Sequence, residues 1–191
     1  KNGIKKFIML YNATNANIKT AGQLFLNGEI VVYPTDTLYG MGVDATNTAS
    51  VLSLNKFKDR EMPLSIIVSS IAMLKRYANV DKNTLEKIKK LLPGRFTVLL
   101  DNNSNNNLSS KITLNTGKVG VRIPKSEFII SVVTYIDRPI VTTSVNRHGK
   151  NSINDIDEIV KKFNSLYIFK DNKVIKSKGS TILDLTKNET K

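Results

Sequence analysis

The chain has 191 residues, 40% of them hydrophobic, which is enough for a sizeable core and excludes disorder throughout. It contains no cysteine and one histidine, so disulfides and thiolate catalysis are excluded and a zinc site built by the protein is not expected. Lysine and arginine total 29 against 16 acidic residues, a formal net charge of +13 that favours polyanionic partners such as nucleotides or nucleic acid.

Part of that charge has a plainer reading, because lysines between Lys82 and Lys90 suit the solvated face of a helix. The length suits one domain over residues 1–191. No apolar run is long enough to span a bilayer, and the start through Phe7 has no signal-peptide core. With cysteine absent, the expectation is a cytoplasmic protein without membrane contact.

In chain order, residues 6–11 read as a strand, followed by a helix with Ile18, Ala21, Leu24 and Phe25 on one face. Asn15 or Asn17 is placed to cap that helix, and Asn27-Gly28 to end it. Residues 30–33 form the next strand, and parallel pairing of the two would require a right-handed crossover. This second strand opens the run Val31-Val32-Tyr33-Pro34-Thr35-Asp36-Thr37-Leu38-Tyr39-Gly40-Met41-Gly42, around which the chain is organised. Its strand end presents Thr35, Thr37 and Tyr39 as uncharged hydrogen-bond partners. Gly40 and Gly42 stand where backbone can approach a ligand closely, although a strand and an ordinary turn explain the same residues.

Thr46 or Asn47 caps a helix to about Phe57 that buries Val51 and Leu54. Lys58 and Arg60 stand at its C-terminus, where cations are favourable for structural reasons alone. Pro63 blocks continuation, and residues 64–68 read as a strand. Residues 69–78 and 83–92 read as helices, and Pro93-Gly94 precedes a strand over 96–100. The asparagine- and serine-rich stretch 101–110 is expected to be an exposed loop.

Residues 119–124 form a short strand carrying Arg122, an unusual place for a charge unless one face meets solvent or an anion. A helix over 127–136, a strand over 139–146 and a helix over 155–163 follow. Short strands over 166–169, 174–175 and 181–185 complete the chain. This alternation points to an α/β or α+β domain.

One pattern recurs. Short apolar strands end in, or adjoin, Thr35, Lys58, Arg60, Arg122, Ser144, Asn146 and Ser180. In open α/β sheets ligands settle outside strand ends, so these side chains are expected to converge. No P-loop and no Gly-x-Gly-x-x-Gly is present, and His148 in its motif-free setting reads as an exposed loop residue. Chemistry here would rest on positioning and cationic stabilisation.

At these positions the chain resembles the YrdC-like threonylcarbamoyl-AMP synthases. The resemblance rests on the run from Tyr33 to Gly42, Lys58-x-Arg60 leading to Pro63-Leu64, and Leu92-Pro93-Gly94-Arg95-Phe96-Thr97. It continues through Val121-Arg122-Ile123-Pro124, the segment from Pro139 to Asn146, and Ser180-Thr181-Ile182-Leu183-Asp184. It implies a twisted open mixed sheet with flanking helices and a basic concave cavity, in the single-domain form of the family.

It also implies formation of threonylcarbamoyl-adenylate and pyrophosphate from L-threonine, bicarbonate and ATP. The product serves N6-threonylcarbamoyladenosine modification of tRNA, with transfer carried out by downstream threonylcarbamoyl-transferase proteins. The implied threonine contacts are Thr35, Arg122 and Ser180. The implied nucleotide contacts are Lys58, Arg60, Ser144, Asn146 and Ser152, with Lys58 and Arg60 also catalytic. Magnesium is implied as a companion of ATP rather than as the occupant of a protein cage.

Among the departures of this chain from the family pattern, two are internal. Many relatives have two more residues between the Lys-x-Arg element and the following proline. Some have a histidine in the next strand, where this chain has Ser65-Ile66-Ile67. Two alternatives stand beside the synthase: a non-catalytic RNA-binding domain contacting tRNA or double-stranded RNA, motivated by the charge, and a carbamoyl-transfer module of the hydrogenase-maturation type.

Overall fold

The computed structural model describes residues 9–147, 149–171 and 177–186. His148, the strand expected at Val174-Ile175 and residues 6–8 of the opening strand lie outside them. The first half of the chain runs β1 (Met9–Asn12), α1 (Ile18–Leu26), β2 (Val31–Tyr33), β3 (Gly40–Gly42), α2 (Thr48–Lys58), β4 (Ser65–Ile67), α3 (Ile71–Tyr77) and β5 (Ala78–Asn79). The second half runs α4 (Lys82–Leu91), β6 (Phe96–Asn102), α5 (Ser110–Thr113), β7 (Lys118–Arg122), α6 (Glu127–Ile136), β8 (Ile140–Ser144), α7 (Ile156–Lys162), β9 (Tyr167–Lys170) and β10 (Thr181–Asp184).

The strands form one mixed sheet in the order β1-β9-β2-β3-β8-β4-β7-β6-β10, with β5 added to β6. The opening strand–helix–strand unit is therefore split. β1 and β2 both run parallel to β9, which inserts between them. Pairings are antiparallel from β2 through β3 and β8 to β4, and parallel again between β4 and β7. Strands buried on both faces read as continuous apolar runs, as Val31, Val32 and Tyr33 do at zero exposure.

Several local expectations need correction. Gly40 and Gly42 belong to a strand, not a turn; their small size serves packing, and Gly40 also lines the small cavity described below. A Cβ on Gly40 would lie 2.7 Å from the Tyr33 ring, and one on Gly42 would lie 1.8 Å from the Val141 carbonyl oxygen. Asn17 holds the cap position of α1, but its amide donates to the Asn12 carbonyl instead of accepting from the helix. Asn47 does cap α2, accepting from the Ser50 N–H.

The helix expected over 69–78 is shorter, because Ser70 caps it and Ala78–Asn79 leaves to pair with Asp101 and Asn102. That pairing extends β6 into the stretch expected to be an exposed loop. The far end of the stretch is also anchored: Ser109 is buried and caps α5. The loop proper is 103–109.

Candidate functional site

The loop leaving β2 is shaped by its own hydroxyls. Thr35 Oγ1 donates to the Leu38 carbonyl at 2.6 Å, accepts from the Thr37 N–H at 3.1 Å and lies 3.1 Å from Thr37 Oγ1. Such side-chain-to-backbone bonds replace ladder bonds where a strand ends. Thr37 then accepts from Arg122 Nη1 at 3.2 Å.

Arg122, the last residue of β7, is 5% exposed. Its Nη2 donates to Asp36 Oδ1 at 2.7 Å, a buried ion pair that accounts for a charge inside a strand. Burial pulls the guanidinium below its ordinary range, and the Asp36 carboxylate works against that shift. Across the sheet, Ser180, immediately before β10, shares a 2.8 Å hydroxyl–hydroxyl hydrogen bond with buried Thr97 of β6.

Lys58 ends α2, and Asp59 closes that helix in the left-handed conformation (φ 54°). The lysine is 1% exposed, and its Nζ donates to the Ser144 carbonyl and to Asn146 Oδ1, both at 2.6 Å. Burial, assisted by the charge of Arg60, lowers its pKa to about 7. Arg60 Nη2 donates to Thr143 Oγ1 at 2.8 Å, and its buried Nε has no partner among the described residues. Burial lowers its pKa as well. Asn146 ties this group together, accepting from Ser144 Oγ at 3.2 Å and donating to the Lys150 carbonyl at 2.6 Å.

Thr35, Arg122, Ser144 and Ser180 line one cavity of about 130 Å³, together with Thr37, Ser65, Thr97 and Thr143. Ser65 reaches it because its neighbour in β7 is Gly120, where a Cβ would lie 2.5 Å from Ser65 Oγ. Lys58 stands behind the wall and touches it through Ser144, while Arg60 touches it through Thr143. Ser152 lies exposed on the loop after β8 and borders neither this cavity nor the larger one.

Tyr39 also lines the small cavity, but its hydroxyl is already engaged. Its hydroxyl donates to the Asp171 carbonyl at 3.2 Å and accepts from the Asp171 N–H at 3.0 Å. A larger cleft of about 1040 Å³ meets the small cavity at Thr35. Asp36 lies in its wall, with Lys90, Arg95 and Lys125 among the other lining residues.

Reasoning from sequence gave no role to Asp36 or Thr97. The signal for Asp36 was the unexplained charge of Arg122, which needed a buried counter-ion. The signal for Thr97 was the Phe96-Thr97 pair inside a matched segment, but nothing local revealed Ser180 as its partner.

The Sua5/YciO/YrdC family model, described as "Telomere recombination", matches residues 23–191. A Methanocaldococcus jannaschii protein provisionally named threonylcarbamoyl-AMP synthase is 35% identical over 166 residues, covering 84% of this chain and 76% of that protein. The threonylcarbamoyl-AMP synthase of Hydrogenovibrio crunogenus is 28% identical over 167 residues, covering 84% of this chain and 89% of its own length. Among solved structures, Pyrococcus abyssi Sua5 complexed with L-threonine superposes with a TM-score of 0.84 at 25% identity. That match covers 92% of this chain but 54% of the Sua5 chain, so this chain spans about half of that protein.

Proposed function

This chain belongs to the Sua5/YciO/YrdC family, and we infer from that membership and from the cavity that it is a threonylcarbamoyl-AMP synthase, an enzyme of the nucleotidyltransferase type. The observation that carries the reading is the meeting of Thr35, Arg122, Ser144 and Ser180, from four separate parts of the chain, around one small polar cavity. Ligand pockets for drug-sized molecules run to roughly 300–1,000 Å³, so a cavity of about 130 Å³ suits a compact polar substrate such as threonine.

In this reading Arg122 faces the threonine carboxylate, for which a guanidinium fork is the matched partner. Thr35 and Ser180 contact the remainder of the amino acid. The threonine nitrogen, after its ammonium loses a proton, bonds to the bicarbonate carbon with loss of water, and an oxygen of the resulting carbamate displaces pyrophosphate from the α-phosphorus of ATP. Negative charge gathers on the phosphates during that displacement. In this reading Lys58 and Arg60, held beside Ser144 and Thr143, supply the stabilising positive charge, Lys58 after its ammonium turns from the Ser144 carbonyl and Asn146 toward the phosphates.

Ser144 and Asn146 supply a hydroxyl and an amide at the same end, and Ser152 is the outermost nucleotide contact proposed. Two cations, a hydroxyl and an amide form a donor set suited to the phosphates of magnesium-ATP, with the metal held by those phosphates. The product would pass to a threonylcarbamoyl-transferase protein for tRNA modification.

The test is pyrophosphate release from L-threonine, bicarbonate and magnesium-ATP, with each omitted in turn. Release is expected only with all three present. Release that ignores threonine, or that responds instead to carbamoyl phosphate, overturns the assignment.

A further inference from the structure

The buried pair Arg122–Asp36 is incompletely satisfied on both sides. Asp36 Oδ1 accepts from Arg122 Nη2 at 2.7 Å, and the two side chains are 10% and 6% exposed. Yet Asp36 Oδ2 and Arg122 Nε are both buried without a hydrogen-bond partner among the described residues. A buried ion pair compensates its desolvation only when its remaining lone pairs and protons are used, so one idle acceptor beside one idle donor is a costly arrangement.

Its place in the fold makes it more informative. Arg122 lines the small cavity, Asp36 lies in the wall of the larger cleft, and Thr35 between them borders both. The idle pair thus sits at the septum where the two spaces meet.

The backbone end of an α-amino acid carries the complementary set: a carboxylate that accepts and an ammonium that donates, one carbon apart. A neighbouring arginine and aspartate match that spacing, since their own charged atoms are in hydrogen-bond contact. We propose that Asp36 is a substrate-binding residue whose Oδ2 receives the α-ammonium group of the amino acid while Arg122 holds its carboxylate. The pair then reads the zwitterion as a unit, and the hydroxyls of Thr35, Ser180 and Thr97 are left to read the side chain.

Holding the nitrogen at the septum orients the atom that must be carboxylated. The proposal rests on the amino-acid reading of the cavity and deepens it. It also gives Asp36 a role that an arginine counter-ion alone would not need. A purely structural counter-ion would engage the guanidinium with both oxygens or satisfy the second one from the protein.

Calorimetric binding to the whole chain, without ATP or bicarbonate, tests it with two ligands: L-threonine and the analogue in which a hydroxyl replaces the α-amino group, 2,3-dihydroxybutanoate. A charge-assisted hydrogen bond corresponds to a preference of about 10- to 100-fold for threonine in the unaltered protein. In Asp36→Asn that preference should collapse to within a few-fold, mainly through weaker threonine binding. Asp36→Asn weakening both ligands by the same factor would show that Asp36 only steadies Arg122, and would overturn the proposal.

Should Asp36→Asn fail to fold, the comparison on unaltered protein decides: equal binding of the two ligands also overturns it. Failure of the enzyme assignment looks different. Binding of another α-amino acid but not threonine, with the same dependence on the amino group, retains the zwitterion clamp and rejects threonine. Binding of no α-amino acid at all rejects both.

Discussion

Lys58 shows how burial turns a common side chain into a tuned one. An exposed lysine at a helix C-terminus is ordinary dipole compensation. Here the ammonium is enclosed, held by a carbonyl and an amide oxygen instead of a carboxylate, and its pKa falls from 10.5 to about 7. The unfolded chain binds the Lys58 proton up to its ordinary pKa while the folded chain releases it near 7. Unfolding therefore takes up a proton between those values, and this residue's contribution makes stability rise with pH from about 7 to 10.5. The phosphate contact proposed for Lys58 needs the charged form, so its pH dependence runs the other way. ATP affinity, measured by calorimetry, should weaken as pH rises above about 7, approaching about tenfold per unit. Lys58→Arg, charged throughout, should abolish most of that slope, and an unchanged slope would remove Lys58 from the nucleotide site.

At the scale of elements, β3 is the piece on which the site's floor depends. It pairs with β2 on one side and β8 on the other, bringing Gly40 opposite both Tyr33 and Ser144. Tyr33 fills the space that a side chain on β3 would occupy, and its hydroxyl donates to the Val141 carbonyl at 3.2 Å. Gly42→Ala should therefore be severe, because its Cβ would meet a backbone oxygen that cannot swing aside. Overpacking of this kind costs about 1–3 kcal/mol or more, a fall in Tm of several degrees, with loss of threonine binding as β8 is displaced. Asn47→Ala is the contrasting case. It removes the α2 cap bond, should cost about 1 kcal/mol in thermal unfolding, and should leave threonine binding unchanged. Parity between the two variants would mean that β3 does not position the cavity.

For the whole molecule, the question is what the net charge of +13 does. Within the site, the charge of Arg122 is offset by Asp36 and that of Lys58 is reduced by its lowered pKa, so little of the net charge resides there beyond Arg60. Among the described residues most of the remaining lysines are exposed, including Lys82, Lys87, Lys89 and Lys90 along α4. RNA association should then be an outer-surface, counterion-release effect. Its log affinity should fall with log salt by about 0.9 for each duplex phosphate neutralised, while threonine-dependent pyrophosphate release persists at the salt where RNA dissociates. Sequence-selective RNA binding that survives such salt would restore the RNA-binding reading.

The alternation of apolar runs and turn residues was enough to place most helices and strands, because burial on both sheet faces forces unbroken hydrophobic stretches such as 31–33. The strand-end hydroxyls and cations, with the motif order, were enough to identify the family and, in Thr35, Arg122, Ser144 and Ser180, part of the cavity's lining. The sequence could not show that β9 separates β1 from β2, that Gly40 and Gly42 make room for Tyr33, or that Asp36 meets Arg122. The first and last depend on residues tens of positions apart and the second on how two adjacent strands pair, and local propensity carries no information about which strand supplies a neighbour. Only the folded sheet decides which buried charge is answered and which polar atom is left waiting for a ligand.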